Sequence, residues 1–175
     1  MGWTVRKGTL SDAPQVARIN VEGWRAAYRG ILSDDYLDAI RSDDRLERLE
    51  ERLGAPEPSA VFVAVSVGGA VGAYGGVSAV RDTADEHPVL PTGEFAALYA
   101  DTASRGTGAG HAVHEAGVDH LAGQGFKHAI LWVFEKNAPS RRFYETRGWI
   151  CDEVTKEGLI GGARFTEVRY SRSLN

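Results

Sequence analysis

Three glycines stand close together at residues 106, 108 and 110, in the segment RGTGAG that follows an apolar run and precedes a helical pattern. The N-terminus of a helix presents unpaired N–H groups and the positive end of the helix dipole. Glycines at that point let an anion lie directly against those groups. The segment therefore predicts a phosphate site built from backbone N–H groups.

Two nucleotide-binding motifs resemble this segment without fitting it. A P-loop needs a lysine after its last glycine, but His111 follows Gly110, which argues against a kinase or an ATPase. The dinucleotide motif G-x-G-x-x-G needs its third glycine one residue later than Gly110. A dinucleotide site with Glu135 as the ribose-binding acid is therefore disfavoured but stays open, as does a loop without a ligand.

A second motif lies about thirty residues further on, where Asn137 is followed by Tyr144 and then by a Gly-Trp pair. The two motifs together resemble the GNAT superfamily of acyl-CoA-dependent N-acetyltransferases. Arg105, Gly108 and Gly110 match its pyrophosphate signature R/Q-x-x-G-x-G/A. Asn137 and Tyr144 match its N-x-x-A/S-x-x-x-Y-E-x-x-G-F/W pattern, and the order of predicted elements matches that fold over nearly the whole chain.

The resemblance implies a binding mode for acetyl-CoA. The end of a central strand is expected to pair its backbone with the pantetheine arm, and the glycine segment to hold the pyrophosphate. Asn137 is expected to bond the pantetheine amide, to cap the following helix, or to do both. The residues expected to contact the cofactor are Leu98, Tyr99, Ala100, Arg105, Gly106, Thr107, Gly108, Ala109, Gly110 and Asn137.

Transfer to an amine also needs an acid for the departing thiolate and a base for the amine. Tyr144 is predicted to be the acid, because a phenol near pKa ~10 roughly matches an alkyl thiol; otherwise it is a core tyrosine. Glu94, at the start of the central strand, is predicted to be the base, directly or through water; otherwise it is a solvated carboxylate. Some ribosomal-protein acetyltransferases of the family carry a carboxylate five residues before the Asn, where this chain has Trp132.

The expected reaction is direct transfer of an acetyl group from acetyl-CoA to a primary amine of a small molecule or peptide, in a ternary complex. The alternative is a non-catalytic acyl-CoA sensor or binding module on the same fold. Trp24, Tyr28 and Tyr36 are candidates for the acceptor pocket, although Trp24 and Tyr28, spaced i, i+4, also suit a packing pair. The acceptor itself stays open.

Metal and thiol chemistry find little support in the sequence. His111 and His114 share a helix face, yet no third ligand accompanies them at metal-binding spacing, so no metal is expected. Cys151 is the only cysteine and has no nearby histidine in the sequence, which favours a buried structural thiol over a nucleophile.

Composition limits the remaining possibilities. With 175 residues, 43% of them apolar, the chain is expected to form one domain over residues 1–175. A net charge of −4 argues against nucleic acid as a partner. The sequence shows neither a signal peptide nor a membrane span, so we expect a cytoplasmic protein that does not bind membranes. A homodimer is the family-typical expectation.

The elements that must position these residues follow from hydrophobic periodicity and turn residues. A strand at 3–7 precedes a helix at about 12–28 and a second helix at about 35–53. A hairpin turning at Gly68-Gly69, an acidic loop at 81–93 and a strand at 94–100 lead to the glycine segment and its helix. The whole order is β-α-α-β-β-β-α-β-α-β-β, which predicts a mixed α/β fold: a twisted, mostly antiparallel sheet of about seven strands flanked by about four helices.

Overall fold

The computed structural model describes residues 2–175, which form a seven-stranded sheet covered by five α-helices. The strands are β1 Thr4–Lys7, β2 Ala60–Val65, β3 Val71–Ala79, β4 Thr92–Ala100, β5 His128–Phe134, β6 Ile150–Ile160 and β7 Ala163–Ser173. The helices are α1 Ala13–Tyr28, α2 Asp34–Ala39, α3 Asp43–Leu53, α4 Ala109–Gly123 and α5 Ala138–Glu145. The predicted mixed α/β fold is confirmed.

The sheet has the strand order β1-β2-β3-β4-β5-β7-β6. Among the described strands, β4 and β5 form the parallel pair and the other neighbours run antiparallel. This parallel pairing is short, because it joins only Thr92–Glu94 to His128–Ile130. Beyond those residues β4 continues to Ala100 and β5 to Phe134 without pairing with each other, so the two strands splay apart and open a cleft in the middle of the sheet.

Helices cover both faces of the sheet, and the alternation of side chains along β2 shows how. Val61 and Val63 pack in one core cluster with Val16 and Leu49, on the face covered by α1 and α3. Phe62 and Ala64 belong to a second cluster with residues of α4, on the opposite face. The cleft therefore opens between two packed layers that hold its walls in place.

The predicted second helix is divided into α2 and α3 by Ile40–Ser42, where Ile40 has an extended backbone. The break is stabilised from α1, because the Arg25 guanidinium donates to the carbonyls of Leu37 and Ile40. These carbonyls would otherwise lack partners at the end of a helix. The apolar spacing along 35–53 is compatible with one helix or with two. Arg25, which stabilises the break between the two helices, lies outside this segment.

Within residues 2–175, none of the helices is both long enough and apolar enough to cross a membrane.

Candidate active site

The cleft between β4 and β5 contains a cavity of about 700 Å³. Its walls come from α1, the outer half of β4, the start of α4, the end of β5 and α5. Seven of the residues predicted to bind the cofactor or to donate the proton line it together: Leu98, Tyr99, Ala100, Arg105, Gly110, Asn137 and Tyr144. The fold thus brings the two distant motifs to one site.

The glycine segment forms a tight turn that ends at the start of α4. Gly106 and Gly108 have φ of +74° and +92°, a backbone region that side chains with a Cβ rarely adopt. Helix α4 begins at Ala109, and its first backbone bond runs from the Ala112 N–H to the Gly108 carbonyl. The preceding N–H groups of this first turn are therefore available to an anion at the edge of the cavity.

Thr107 anchors this turn rather than facing the cavity. Its hydroxyl donates to the Ser104 carbonyl at 2.6 Å and accepts a hydrogen bond from Trp3 Nε1 at 3.0 Å. Arg105 lines the cavity, is exposed, and forms no ion pair with another residue in the described part of the chain. Its guanidinium is therefore available to an anionic ligand.

Asn137 caps helix α5. Its Oδ1 accepts a hydrogen bond from the Ser140 N–H at 3.3 Å, and the residue is only 6% exposed at the cavity wall. The cap uses the oxygen and leaves the Nδ2 amide hydrogens for a ligand carbonyl. Both roles considered for Asn137 are therefore compatible with its position.

Tyr144 lies on α5 with its ring buried against Trp149, Phe143 and His114. No residue of the chain from 2 to 175 forms a hydrogen bond with its hydroxyl, although the residue lines the cavity. Burial raises the pKa of the Tyr144 phenol above its ordinary value of 10.0. The hydroxyl thus keeps its proton at neutral pH and is free to donate a hydrogen bond to a molecule in the cleft.

Glu94 is buried in β4 at the point where the two strands begin to separate. Its carboxylate is held by Arg81, whose Nε donates to Oε2 at 2.9 Å and whose Nη2 donates to Oε1. Glu94 is absent from the residues that line the cavity. Its role as a base stays a prediction, and from this position it would act through water.

Glu167 is a cavity residue that the sequence did not single out. It lies in β7 opposite Phe134 of β5 and Lys156 of β6, so these three side chains share the sheet face that carries α1. Burial raises the pKa of the Glu167 carboxyl, while Lys156 and Arg81 lower it and Glu94 raises it. The sequence carries no signal for this site, because strand pairing decides which face of β7 meets the cleft.

Of the three aromatic residues considered for the acceptor pocket, Tyr28 lines the cavity. Trp24 packs edge-on against Tyr28, with ring centroids 5.0 Å apart, so the interpretation as a packing pair is also correct. The Tyr28 hydroxyl lies 3.1 Å from the Tyr99 hydroxyl, and burial raises the pKa of Tyr28 to about 12. Trp24 and Tyr36 are absent from the lining.

His111, His114 and Glu115 lie close enough together to raise the question of a metal. Both ring nitrogens of the buried His114 already have partners: Nε2 accepts from Trp149 Nε1 at 2.8 Å, and Nδ1 lies 2.8 Å from Glu115 Oε1. A metal would have to displace one of them, so we assign none here. Cys151 is half-buried in β6 and packs against the core.

Comparison with known proteins agrees with this geometry. The family model described as "Acetyltransferase (GNAT) family" matches residues 24–149, which include the glycine segment, α5 and most of the residues that line the cleft. The chain belongs to the GNAT acetyltransferase family. The resemblance stated from the two motifs is therefore confirmed.

Two other acetyltransferases are similar to this chain over different spans. An uncharacterized N-acetyltransferase of Bacillus subtilis (strain 168), YuaI, is 29% identical over 166 residues, covering 94% of this chain and 90% of the relative. A mycothiol acetyltransferase of Thermobispora bispora is 36% identical over 113 residues, covering 61% of this chain and 37% of that longer protein. These relatives and the family model identify this GNAT protein as an acyltransferase, as predicted.

Solved structures support the fold. The PaiA N-acetyltransferase of Thermoplasma acidophilum, determined in complex with coenzyme A, superposes with a TM-score of 0.76 over 99% of both chains at 15% identity. At that identity the likeness extends to the fold alone. It places the splayed strands and flanking helices of this chain in the architecture of a GNAT acetyltransferase.

Proposed function

We propose that this protein transfers an acetyl group from acetyl-CoA directly to a primary amine, with both substrates bound at once. One observation carries the proposal: the glycine turn, Asn137 and Tyr144 line a single cleft, although the turn and Tyr144 are over thirty residues apart in sequence. The complex of the PaiA relative with coenzyme A supports the choice of cosubstrate.

The chain offers a matching group for each part of acetyl-CoA. The N–H groups at the start of α4, with the Arg105 guanidinium, suit the pyrophosphate. At Leu98–Ala100, β4 pairs with β3 on one side only, and its other edge, which β5 leaves unpaired, suits the amides of the pantetheine arm. The free Nδ2 of Asn137 suits one of the carbonyls of that arm. The reacting thioester would then lie beside Tyr144.

In the proposed reaction the neutral amine attacks the thioester carbonyl carbon, forming a C–N bond, and the C–S bond then breaks. The Tyr144 O–H gives its proton to the departing sulfur. Glu94 accepts the amine's proton through water. Burial makes the Tyr144 phenol a weaker acid, but the thiolate would form beside the same buried ring, where partial removal from water raises its own affinity for a proton too.

A panel of amines assayed by release of CoA tests this function, and the mass of the intact protein after exposure to acetyl-CoA tests direct transfer. We expect turnover with at least one class of amine and no acetylated protein before amine is added. Acetyl-CoA binding without turnover across small amines, amino acids and peptide N-termini would instead favour the sensor alternative. A rapidly formed acetyl-protein that disappears on addition of amine would contradict the ternary complex.

Homodimer formation, a cytoplasmic location, one domain over residues 1–175 and the absence of a metal, a nucleic-acid partner or a membrane partner stay predictions.

A further inference from the structure

Glu167 presents a half-buried carboxylate to the cavity without a partner of its own. No hydrogen bond or ion pair joins that carboxylate to any residue between 2 and 175, and the influences on it are burial and more distant charges. Removing a carboxylate from water without pairing it is unfavourable. An unpaired, half-buried charge at a cavity wall is therefore a place where a ligand of opposite charge gains binding energy.

The cations that act on the Glu167 carboxylate, Arg81 and Lys156, are already paired with other carboxylates. Arg81 is committed to Glu94 through two side-chain hydrogen bonds. Lys156, on the strand beside Glu167, lies 2.6 Å from Asp85 Oδ2 and 3.3 Å from Asp82 Oδ2. Its cation is therefore shared between two carboxylates that do not belong to the cavity.

Arg169, two residues after Glu167, is paired in the same way. It lies 3.1 Å from Asp85 Oδ1 and 2.8 Å from Asp152 Oδ2. In these pairs the charge of Arg81 is neutralised by Glu94. The two cations of Lys156 and Arg169 share three carboxylates, those of Asp82, Asp85 and Asp152. The negative charge of Glu167 is thus left for a molecule in the cleft.

Aromatic residues line the cavity together with Glu167. Tyr28 stacks on Phe134 with ring centroids 4.5 Å apart, and Phe134 stacks on Phe165 at 4.6 Å. Phe134 of β5 lies directly opposite Glu167 of β7. Trp132, two residues before Phe134 on the same strand, also lines the cavity. The ring faces of Tyr28, Phe134 and Phe165 are stacked on one another, and Lys156 Nζ lies 4.4 Å from the centre of the Trp132 ring. The rings therefore supply apolar wall, which suits a ligand with an apolar or aromatic body next to its charge.

We infer that Glu167 binds the ammonium group of the acceptor, and that the cleft selects a cationic primary amine attached to an apolar or aromatic body. The inference rests on the proposed function, because it names the acceptor class of that same site. An acceptor with a carboxylate beside its amine, such as a free amino acid, would bring a like charge towards Glu167 and is disfavoured. Glu94, whose carboxylate is bonded to Arg81 and does not line the cavity, is not part of this contact with the ammonium group.

Calorimetry on the protein saturated with CoA tests the inference without requiring turnover. The probes are benzylamine, 2-phenylethylamine and tyramine, each compared with the alcohol that replaces its amine, and phenylalanine as the carboxylate-bearing amine. We expect at least one amine to bind about 10- to 100-fold more tightly than its alcohol, and phenylalanine to bind more weakly than 2-phenylethylamine. Glu167→Gln should remove the preference for amine over alcohol.

Glu157→Gln is the matched control, because Glu157 is an exposed carboxylate on the neighbouring strand β6, where it lies opposite Thr166. It should leave the preference unchanged, and Glu167→Asp, which keeps the charge on a shorter side chain, should keep part of it. Should Glu167→Gln fail to fold, the comparison of amine with alcohol in the wild type and in Glu167→Asp still decides the question.

Equal affinity for amine and alcohol, no binding of any of the three amines, or an unchanged preference in Glu167→Gln would overturn the inference. Failure of the proposed function gives a different result from failure of this inference. Charge-selective binding that depends on Glu167, without acetyl transfer, refutes the transferase reaction and keeps the binding site. Acetyl transfer to amines with no dependence on Glu167 keeps the reaction and removes this assignment.

Discussion

Replacing Tyr144 by Phe removes one hydroxyl from the cleft and leaves the buried ring in place. The hydroxyl makes no hydrogen bond to the described chain, so its loss leaves no protein group unsatisfied. The apolar contacts with Trp149, Phe143 and His114 are those of the ring and persist in Phe. We therefore expect the free energy of unfolding to change by less than about 1 kcal/mol.

The effect on catalysis should be far larger. A positioned general acid contributes about 10²- to 10⁴-fold to a rate, which corresponds to about 3 to 5 kcal/mol of transition-state stabilisation. Because the hydroxyl acts on the sulfur only as it leaves, the loss should appear in kcat and leave the affinity for acetyl-CoA within a few-fold of the wild type. The raised pKa of Tyr144 also predicts no alkaline loss of kcat from its titration up to about pH 10.

The assay follows CoA release with the best amine of the panel, together with calorimetry for acetyl-CoA and thermal unfolding. Tyr170→Phe is the control, since its hydroxyl donates to Glu145 at 2.6 Å and accepts from Arg141 at 2.9 Å, outside the cavity lining. That variant should lose about 1 to 2 kcal/mol of stability and keep its kcat. A kcat of Tyr144→Phe within a few-fold of the wild type would refute the role of general acid.

Three further predictions follow from the site and its surroundings. Arg105→Gln removes an exposed cation that has no ion pair within the described chain. It should weaken acetyl-CoA binding by about 10- to 100-fold in calorimetry without lowering the melting temperature. Unchanged affinity would exclude the contact between Arg105 and the pyrophosphate. Glu94→Gln should lower kcat/KM most at pH 7 and least at high pH, where the amine is already neutral, and a loss independent of pH would contradict its role as a base. Asp12, held by Arg6 and the Thr9 N–H, has its pKa lowered to about 2 from 3.8, so its carboxylate stabilises the fold above pH 4 and loses about 2 kcal/mol as the pH falls from 4 to 2. Denaturant titrations should show a smaller loss of stability from pH 4 to pH 2 in Asp12→Asn than in the wild type, whereas equal losses would mean that the Arg6 pair contributes nothing.

The fold could be predicted from the sequence where local signals agree with tertiary packing. The glycine segment, the Pro139 start of α5 and the turn at Gly68-Gly69 each mark a boundary by their own chemistry, and the structure has its elements there. The division between α2 and α3 was missed, because it depends on Arg25, which reaches the carbonyls of α2 from another helix. Local periodicity contains no information about such a contact.

The site could be predicted in part for the same reason. The glycine turn and α5 each carry a short continuous motif, and the resemblance of these motifs to a known family singled out their residues. Glu167 was missed, because its meeting with the cleft depends on the pairing of β5 with β7. The hydrogen bonds from Arg81 to Glu94, thirteen residues later, likewise depend on the path of the intervening loop.

Titration of the wild-type protein with acetyl-CoA by calorimetry tests the central claim most directly. The account predicts saturable binding at one site per chain, weakened in Arg105→Gln and preserved in Tyr144→Phe. Absence of acetyl-CoA binding, together with binding of NAD or NADP, would contradict it and return the glycine turn to the dinucleotide interpretation.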